Sequence, residues 1–242
     1  MLKRRQISLS FVIGCLILMV LSGCGNSGSR VTTQKTSSDT ILFVGDSITA
    51  GLSGTNQHGK KSYPWWVGHI LKQHIINNGH DGGTISGGSA RDLIPNLKSS
   101  KYKNVTTVVI SYGINDYLSN RDLNKVVLKL ASALKYLQQQ HPQVKIIGIL
   151  PLNAFITPNP NPNTAGNAMD VKNKANYAEN ELCDNLKTVY SNYGVAVLDW
   201  RLDPFFTTTN VSALSWDGVL HPNVKGYKIM GLRVAAFILQ NK

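Results

Sequence analysis

Four short, mostly apolar runs, at residues 41–44, 105–110, 144–150 and 195–198, are separated by longer stretches with helical periodicity. No other feature restricts the fold as much. A short apolar run bounded by turn residues suits a strand buried on both faces, because a strand with one wet face would alternate apolar with polar residues. A weaker run, Thr84-Ile85, reads as a further strand. The clearest intervening helix carries Leu123, Val126, Val127, Leu130, Leu134 and Leu137, which recur at three and four residues and form one apolar stripe ending before His141-Pro142. Other helices are expected near 65–77, 90–98, 171–191 and 223–240. Strands alternating with helices give an α/β fold, with a central parallel sheet of about five strands covered on both faces. A chain of 242 residues is enough for one sizeable domain of this kind.

An open α/β sheet gathers its chemistry at the carboxyl ends of the strands, where loops converge. Three polar motifs fall there. The first run breaks into Gly45-Asp46-Ser47-Ile48-Thr49, Thr84-Ile85 leads into Ser86-Gly87-Gly88-Ser89, and the run at 105–110 leads into Gly113-Ile114-Asn115-Asp116. A fourth motif, Asp217-Gly218-Val219-Leu220-His221-Pro222, precedes the helical stripe of Val224, Tyr227, Met230 and Val234. Gly-Asp-Ser alone is ordinary turn composition; the combination carries the chemistry. A serine hydroxyl attacks an ester only when a base takes its proton, and His221 is the candidate base for Ser47. Backbone N–H groups and an amide side chain are the usual donors to the oxyanion that forms.

In this order the blocks resemble the GDSL or SGNH hydrolase family, defined by a Ser, a Gly, an Asn and a His in separate blocks, and the resemblance covers residues 40 to 240. It implies a three-layer, flavodoxin-like fold and ester hydrolysis through an acyl-enzyme, without metal or cofactor. It also implies the roles: Ser47 as nucleophile, His221 as base and Asp217 as the acid that orients it. The oxyanion donors would be the backbone N–H of Ser47, that of Gly87 and the amide of Asn115, with Gly88 as the competing glycine. A side chain at Gly87 could obstruct the approach of substrate to backbone. Family members usually place the aspartate three residues before the histidine, whereas Asp217 stands four before His221. Asp199, Asp203, or a Ser–His dyad leaning on a backbone carbonyl are therefore alternatives. Asp46 and Asp116 are expected to hold loop backbone, and one indole of Trp65-Trp66 to pack in the core.

Residues 1–23 read as a signal peptide, with Lys3, Arg4 and Arg5 ahead of an apolar stretch. Leu21-Ser22-Gly23-Cys24 resembles the bacterial lipobox, which implies a lipidated Cys24 and a domain anchored outside the cytoplasmic membrane. Residues 24–39 are then a Ser/Thr/Gly-rich tether and 40–242 the hydrolase domain. Removing Lys3, Arg4, Arg5, Arg30, Lys35 and Asp39 from the formal charge of +12 leaves +8, a balance that favours anionic lipid heads or envelope polymers as partners. The cations form no cluster interleaved with aromatics, which argues against nucleic acid. Cys183, the one cysteine in the domain, reads as a small buried hydrophobe. Scattered histidines and the lack of a paired-Cys motif argue against metal. The Pro/Asn-rich stretch 157–167 is a loop on the site's side of the sheet. The expected substrate is a short acyl ester of carbohydrate, with lipid esters, or a non-catalytic binding lipoprotein, as alternatives.

Overall fold

The computed structural model describes residues 39–54, 58–156 and 168–241. The signal peptide, Cys24, the tether up to residue 38 and the loop 157–167 lie outside the described residues. Five strands form one sheet: β1 (Thr40–Gly45), β2 (His74–Gly79), β3 (Val105–Ser111), β4 (Lys145–Ile149) and β5 (Ala196–Leu198). All pairings are parallel, in the order β2-β1-β3-β4-β5. The chain thus winds outward from β1 in both directions, and the β1/β3 junction is the switch point at which such sheets open a crevice. Gly45 of β1 stands opposite Ser111 of β3, so the segments leaving these strands start side by side.

The helices are α1 (Ser47–Ala50), α2 (Tyr63–Leu71), α3 (Leu93–Ser99), α4 (Ile114–Leu118), α5 (Leu123–Gln140), α6 (Glu179–Asn192), α7 (Val211–Leu214) and α8 (Val224–Gln240). α2 packs on α8, whereas α3 and α6 pack on α5. The stripe on α5 is buried at Val126, Leu130, Leu134 and Leu137, and Asp122 caps the helix by accepting the Lys125 N–H. β1 is buried along its whole length, as are Val108, Val109 and Ile110 of β3. Cys183 is fully buried, and burial pushes its thiol well above the usual range. Trp66 is half-buried against the core; a Cβ on Gly231 of α8 would lie 2.3 Å from its Cβ. Among the described residues no helix is long and apolar enough to cross a membrane.

Three expectations need correction. Thr84-Ile85 is not a strand; the second strand is His74–Gly79, which overlaps the end of the stretch 65–77 read as a helix. α2 stops at Lys72, which takes a left-handed conformation (φ 53°) without the glycine that normally signals such a stop. Ile75 and Ile76 then continue the helical spacing by coincidence, in an edge strand that is at most half-buried. The helix expected from 171 begins only at Glu179. There Asn173 diverts the backbone, its side chain accepting the N–H groups of Ala175 and Tyr177 and donating to the Tyr117 carbonyl. On α8 the stripe begins at Tyr227, because Val224 is exposed.

Candidate active site

β1 ends at Gly45, and Asp46 turns the chain by accepting the Ile48 N–H at 3.0 Å, which makes Ser47 the first residue of α1. Ser47 is buried apart from a small opening, and its Oγ lies 2.9 Å from His221 Nε2. Burial raises the Asp46 carboxyl to about 7, against the Ile48 hydrogen bond and the nearby His221. Thr49 Oγ1, two residues on, is 3.0 Å from the buried Tyr63 hydroxyl and so ties α1 to α2.

The imidazole of His221 is held from its other side. Its Nδ1 lies 2.6 Å from Asp217 Oδ2, while Asp217 Oδ1 accepts the N–H groups of Val219, Leu220 and His221 at 2.9 to 3.1 Å. Burial of Asp217 opposes its ionisation, but the hydrogen bonds from His221, Leu220 and Val219 outweigh it and hold the carboxyl below its usual value. With Asp217 ionised, Nδ1 carries the proton and Nε2 is left to accept from the Ser47 hydroxyl. The four-residue spacing closes because Gly218 takes φ +76°, folding the extra residue into a tight turn around the carboxylate. The alternative aspartates are engaged elsewhere. Asp199 pairs with Lys187 at 3.0 Å and Arg201 at 2.9 Å, and Asp203 with Arg233 at 3.2 Å. Asn223 caps α8 by accepting the Gly226 N–H and donates back to the Ala213 and Ser215 carbonyls, so the turn bearing His221 is anchored at both ends.

Asn115 leaves β3 in the first turn of α4 and donates one amide hydrogen to the Gly83 carbonyl at 3.0 Å; its amide carries a second. Next to it, the fully buried Asp116 accepts the Ile85 N–H at 2.7 Å and the Ser86 N–H at 3.0 Å. Burial raises its carboxyl above the usual value, partly offset by these bonds. Asp92 holds the far side of the same loop, taking the Thr84 N–H and hydroxyl on Oδ1 and those of Ser89 on Oδ2. A Cβ at Gly87 would fall 2.3 Å from Asp92 Oδ2 and 2.6 Å from Thr84 Oγ1. Glycine is thus required here by the protein's own side chains. The Gly87 N–H donates to Thr84 Oγ1 at 3.0 Å, so an oxyanion would share that donor or take it over. A Cβ at Gly88 would meet nothing within 4 Å.

Sequence reasoning passed over Thr84, Asp92 and Trp216. The Trp216 ring centroid lies 6.1 Å from that of His221, and the Trp216 backbone N–H donates to the His221 carbonyl. Ser89 and Asp92, three apart and just ahead of a helix, carry the composition of a cap, but the carboxylate turns back onto the loop instead of forward onto α3. Among the described residues no group of three or more His, Cys, Asp or Glu is placed to hold a metal ion.

Comparison with known proteins adds a family. Residues 43–229 match the GDSL-like Lipase/Acylhydrolase family. Esterase TesA of Pseudomonas aeruginosa is 31% identical over 145 residues, which covers 56% of this chain and 66% of that protein, just under two thirds of its length. A crystal structure of a protein from Lactobacillus plantarum superposes with a TM-score of 0.68 at 19% identity, covering 84% of this chain and 98% of that one. That of the acetyl xylan esterase AlAXEase gives a TM-score of 0.60 at 20% identity, covering 84% and 98%.

Proposed function

This chain belongs to the GDSL-like lipase/acylhydrolase family, and from that premise we propose that it is a serine esterase cleaving carboxylic esters through an acyl-enzyme. The observation that carries the reading is the continuous relay from Ser47 Oγ through His221 to Asp217, with contacts of 2.9 and 2.6 Å. Ser47 attacks the acyl carbon while Nε2 of His221 takes its proton. Asp217 stabilises the imidazolium that forms, and His221 returns the proton to the departing alcohol. Water then repeats the sequence on the acyl-enzyme. Negative charge on the former carbonyl oxygen is met by the free amide hydrogen of Asn115 and by the N–H groups of Ser47 and Gly87. Asp116 and Asp92 fix the Gly87 turn before substrate arrives.

The acyl group is a short one, acetyl first, carried on a carbohydrate or related polyol; the fold likeness to an acetyl xylan esterase supports this choice. The enzyme works outside the cytoplasmic membrane, anchored through lipid on Cys24, a reading supported by the basic start, apolar stretch and Leu-Ser-Gly-Cys of the first 24 residues. Mass spectrometry of the native amino terminus tests the anchor, and an unmodified Cys24 would remove it.

Hydrolysis of chromogenic esters of graded acyl length, by wild type beside Ser47→Ala, tests the mechanism. Wild type is expected to turn over acetate faster than octanoate, and Ser47→Ala to lose about 10⁴-fold or more in kcat. Asn115→Ala should lose about 100- to 1000-fold, as for one oxyanion donor. A folded wild type no faster than Ser47→Ala on every ester would refute the esterase reading.

A further inference from the structure

Beside the Gly87 turn lies a cavity of about 460 Å³ whose cations the proposed reaction does not use. Its walls are the loop from Gly82 to Asp92, the residues after α4 and the first turns of α5. Arg91, Arg121, Lys125 and Lys129 all line it. Lys125 and Lys129 stand four apart on α5 and so share one face of the helix. Arg91 lies against the loop backbone, since a Cβ on Gly82 would be 3.3 Å from its Nη1. Among the described residues, no ion pair joins any of these four cations to a carboxylate.

Three carboxylates are near, and one of them, the buried Asp116, accepts the Ile85 and Ser86 N–H groups behind the loop and feels the charge of Arg121. Asp92 lines the cavity, but its oxygens are already filled by the four hydrogen bonds from Thr84 and Ser89. The exposed Asp122 spends Oδ1 on capping α5. Four cations against these three leave a positive excess at the amino end of an 18-residue helix, where the helix dipole also favours an anion. The lining contains no aromatic and no large apolar side chain, so it offers nothing to stack a base on and nothing to receive an acyl chain. What suits it is a compact, multiply charged oxyanion, for which arginine forks and lysine ammonium groups are the usual partners. Gly87 belongs to this cavity and, in the proposed mechanism, to the oxyanion donors, so a group seated here is next to the ester carbonyl.

We propose that this cavity binds a phosphate group on the alcohol side of the substrate, so that the preferred esters are those of phosphate-bearing polyols. The substrate part of the inference rests on the esterase reading; the binding part does not. A phosphate unit of this kind occurs both in soluble polyol phosphates and in the headgroups of anionic phospholipids.

Binding is measured first by calorimetry, on the Ser47→Ala protein, with glycerol 3-phosphate and, separately, with phosphatidylglycerol vesicles. Glycerol 3-phosphate binding points to a soluble phosphate, and binding confined to vesicles points to a headgroup. In either case affinity should fall at least 10-fold in Arg121→Gln/Lys125→Gln, recover in Arg121→Lys/Lys125→Arg, and weaken as salt is raised. The kinetic arm compares the acetyl esters of glycerol 3-phosphate and glycerol with wild-type protein. The phosphorylated ester should have at least a 10-fold higher kcat/KM, through KM, and the Gln pair should abolish that ratio. Absence of binding to both probes, or binding indifferent to the Gln pair, overturns the proposal even if neutral acetate is hydrolysed. Binding without hydrolysis of any ester upholds the cavity and overturns the esterase reading and the substrate assignment resting on it.

Discussion

Asp217 divides its two oxygens largely between separate tasks: Oδ2 meets the imidazole, and Oδ1 gathers three backbone N–H groups, of which that of His221 also reaches Oδ2 at 3.3 Å. The division makes its contributions to catalysis and to stability separable. Asp217→Asn leaves an oxygen for the backbone but presents a neutral amide where His221 needs an anion, so kcat should fall about 10³- to 10⁴-fold. The melting temperature should move little. Asp217→Ala loses both functions and should also cost about 1 to 3 kcal/mol for buried N–H groups left without acceptors. Kinetics together with thermal melts of the two variants would check this, and equal loss of stability in both would contradict it. The residue types of the relay were legible in the sequence because the nucleophile, base and acid proposed for it each need a particular side chain. The geometry that reconciles a four-residue spacing was not, since it depends on the left-handed conformation of Gly218.

A turn gains its shape from elements distant in sequence. The segment 84–89 has no regular structure, and it is held from below by Asp116 of α4 and from the side by Asp92 ahead of α3. Asp116→Ala strips the acceptor from two buried N–H groups and should cost about 3 kcal/mol in urea denaturation. It should also lower kcat more than it raises KM, because the Gly87 turn loses its preset position. An unchanged kcat would show that the turn is positioned by Asp92 alone. The same dependence explains what could be read from local pattern. α5 and the buried strands carry their spacing in their own residues. β2 does not: with only Ile75 and Ile76 apolar, it is a strand because β1 pairs with it.

Across the molecule, stability should decline as pH rises through neutrality. Glu179 is fully buried at the start of α6, accepting the Ala154 N–H, and burial lifts its carboxyl from 4.5 to about 8. Between these values the unfolded chain has lost the proton and the folded one keeps it. Each unit of pH in that window therefore removes about 1.4 kcal/mol of stability. Asp46, lifted to about 7, acts in the same direction from 3.8 upward. Glu179→Gln keeps an acceptor for Ala154 and cannot ionise, so its urea midpoint should fall less than that of wild type between pH 5 and pH 8. Parallel declines would count against this assignment. On the same scale, the hydroxyl of Ser47 and the imidazole of His221 meet across 174 positions of chain. A polypeptide still emerging from the ribosome carries Ser47 early and acquires His221 only just ahead of α8. In the proposed mechanism, any fragment ending before residue 217 should therefore be chemically silent however well its sheet has formed.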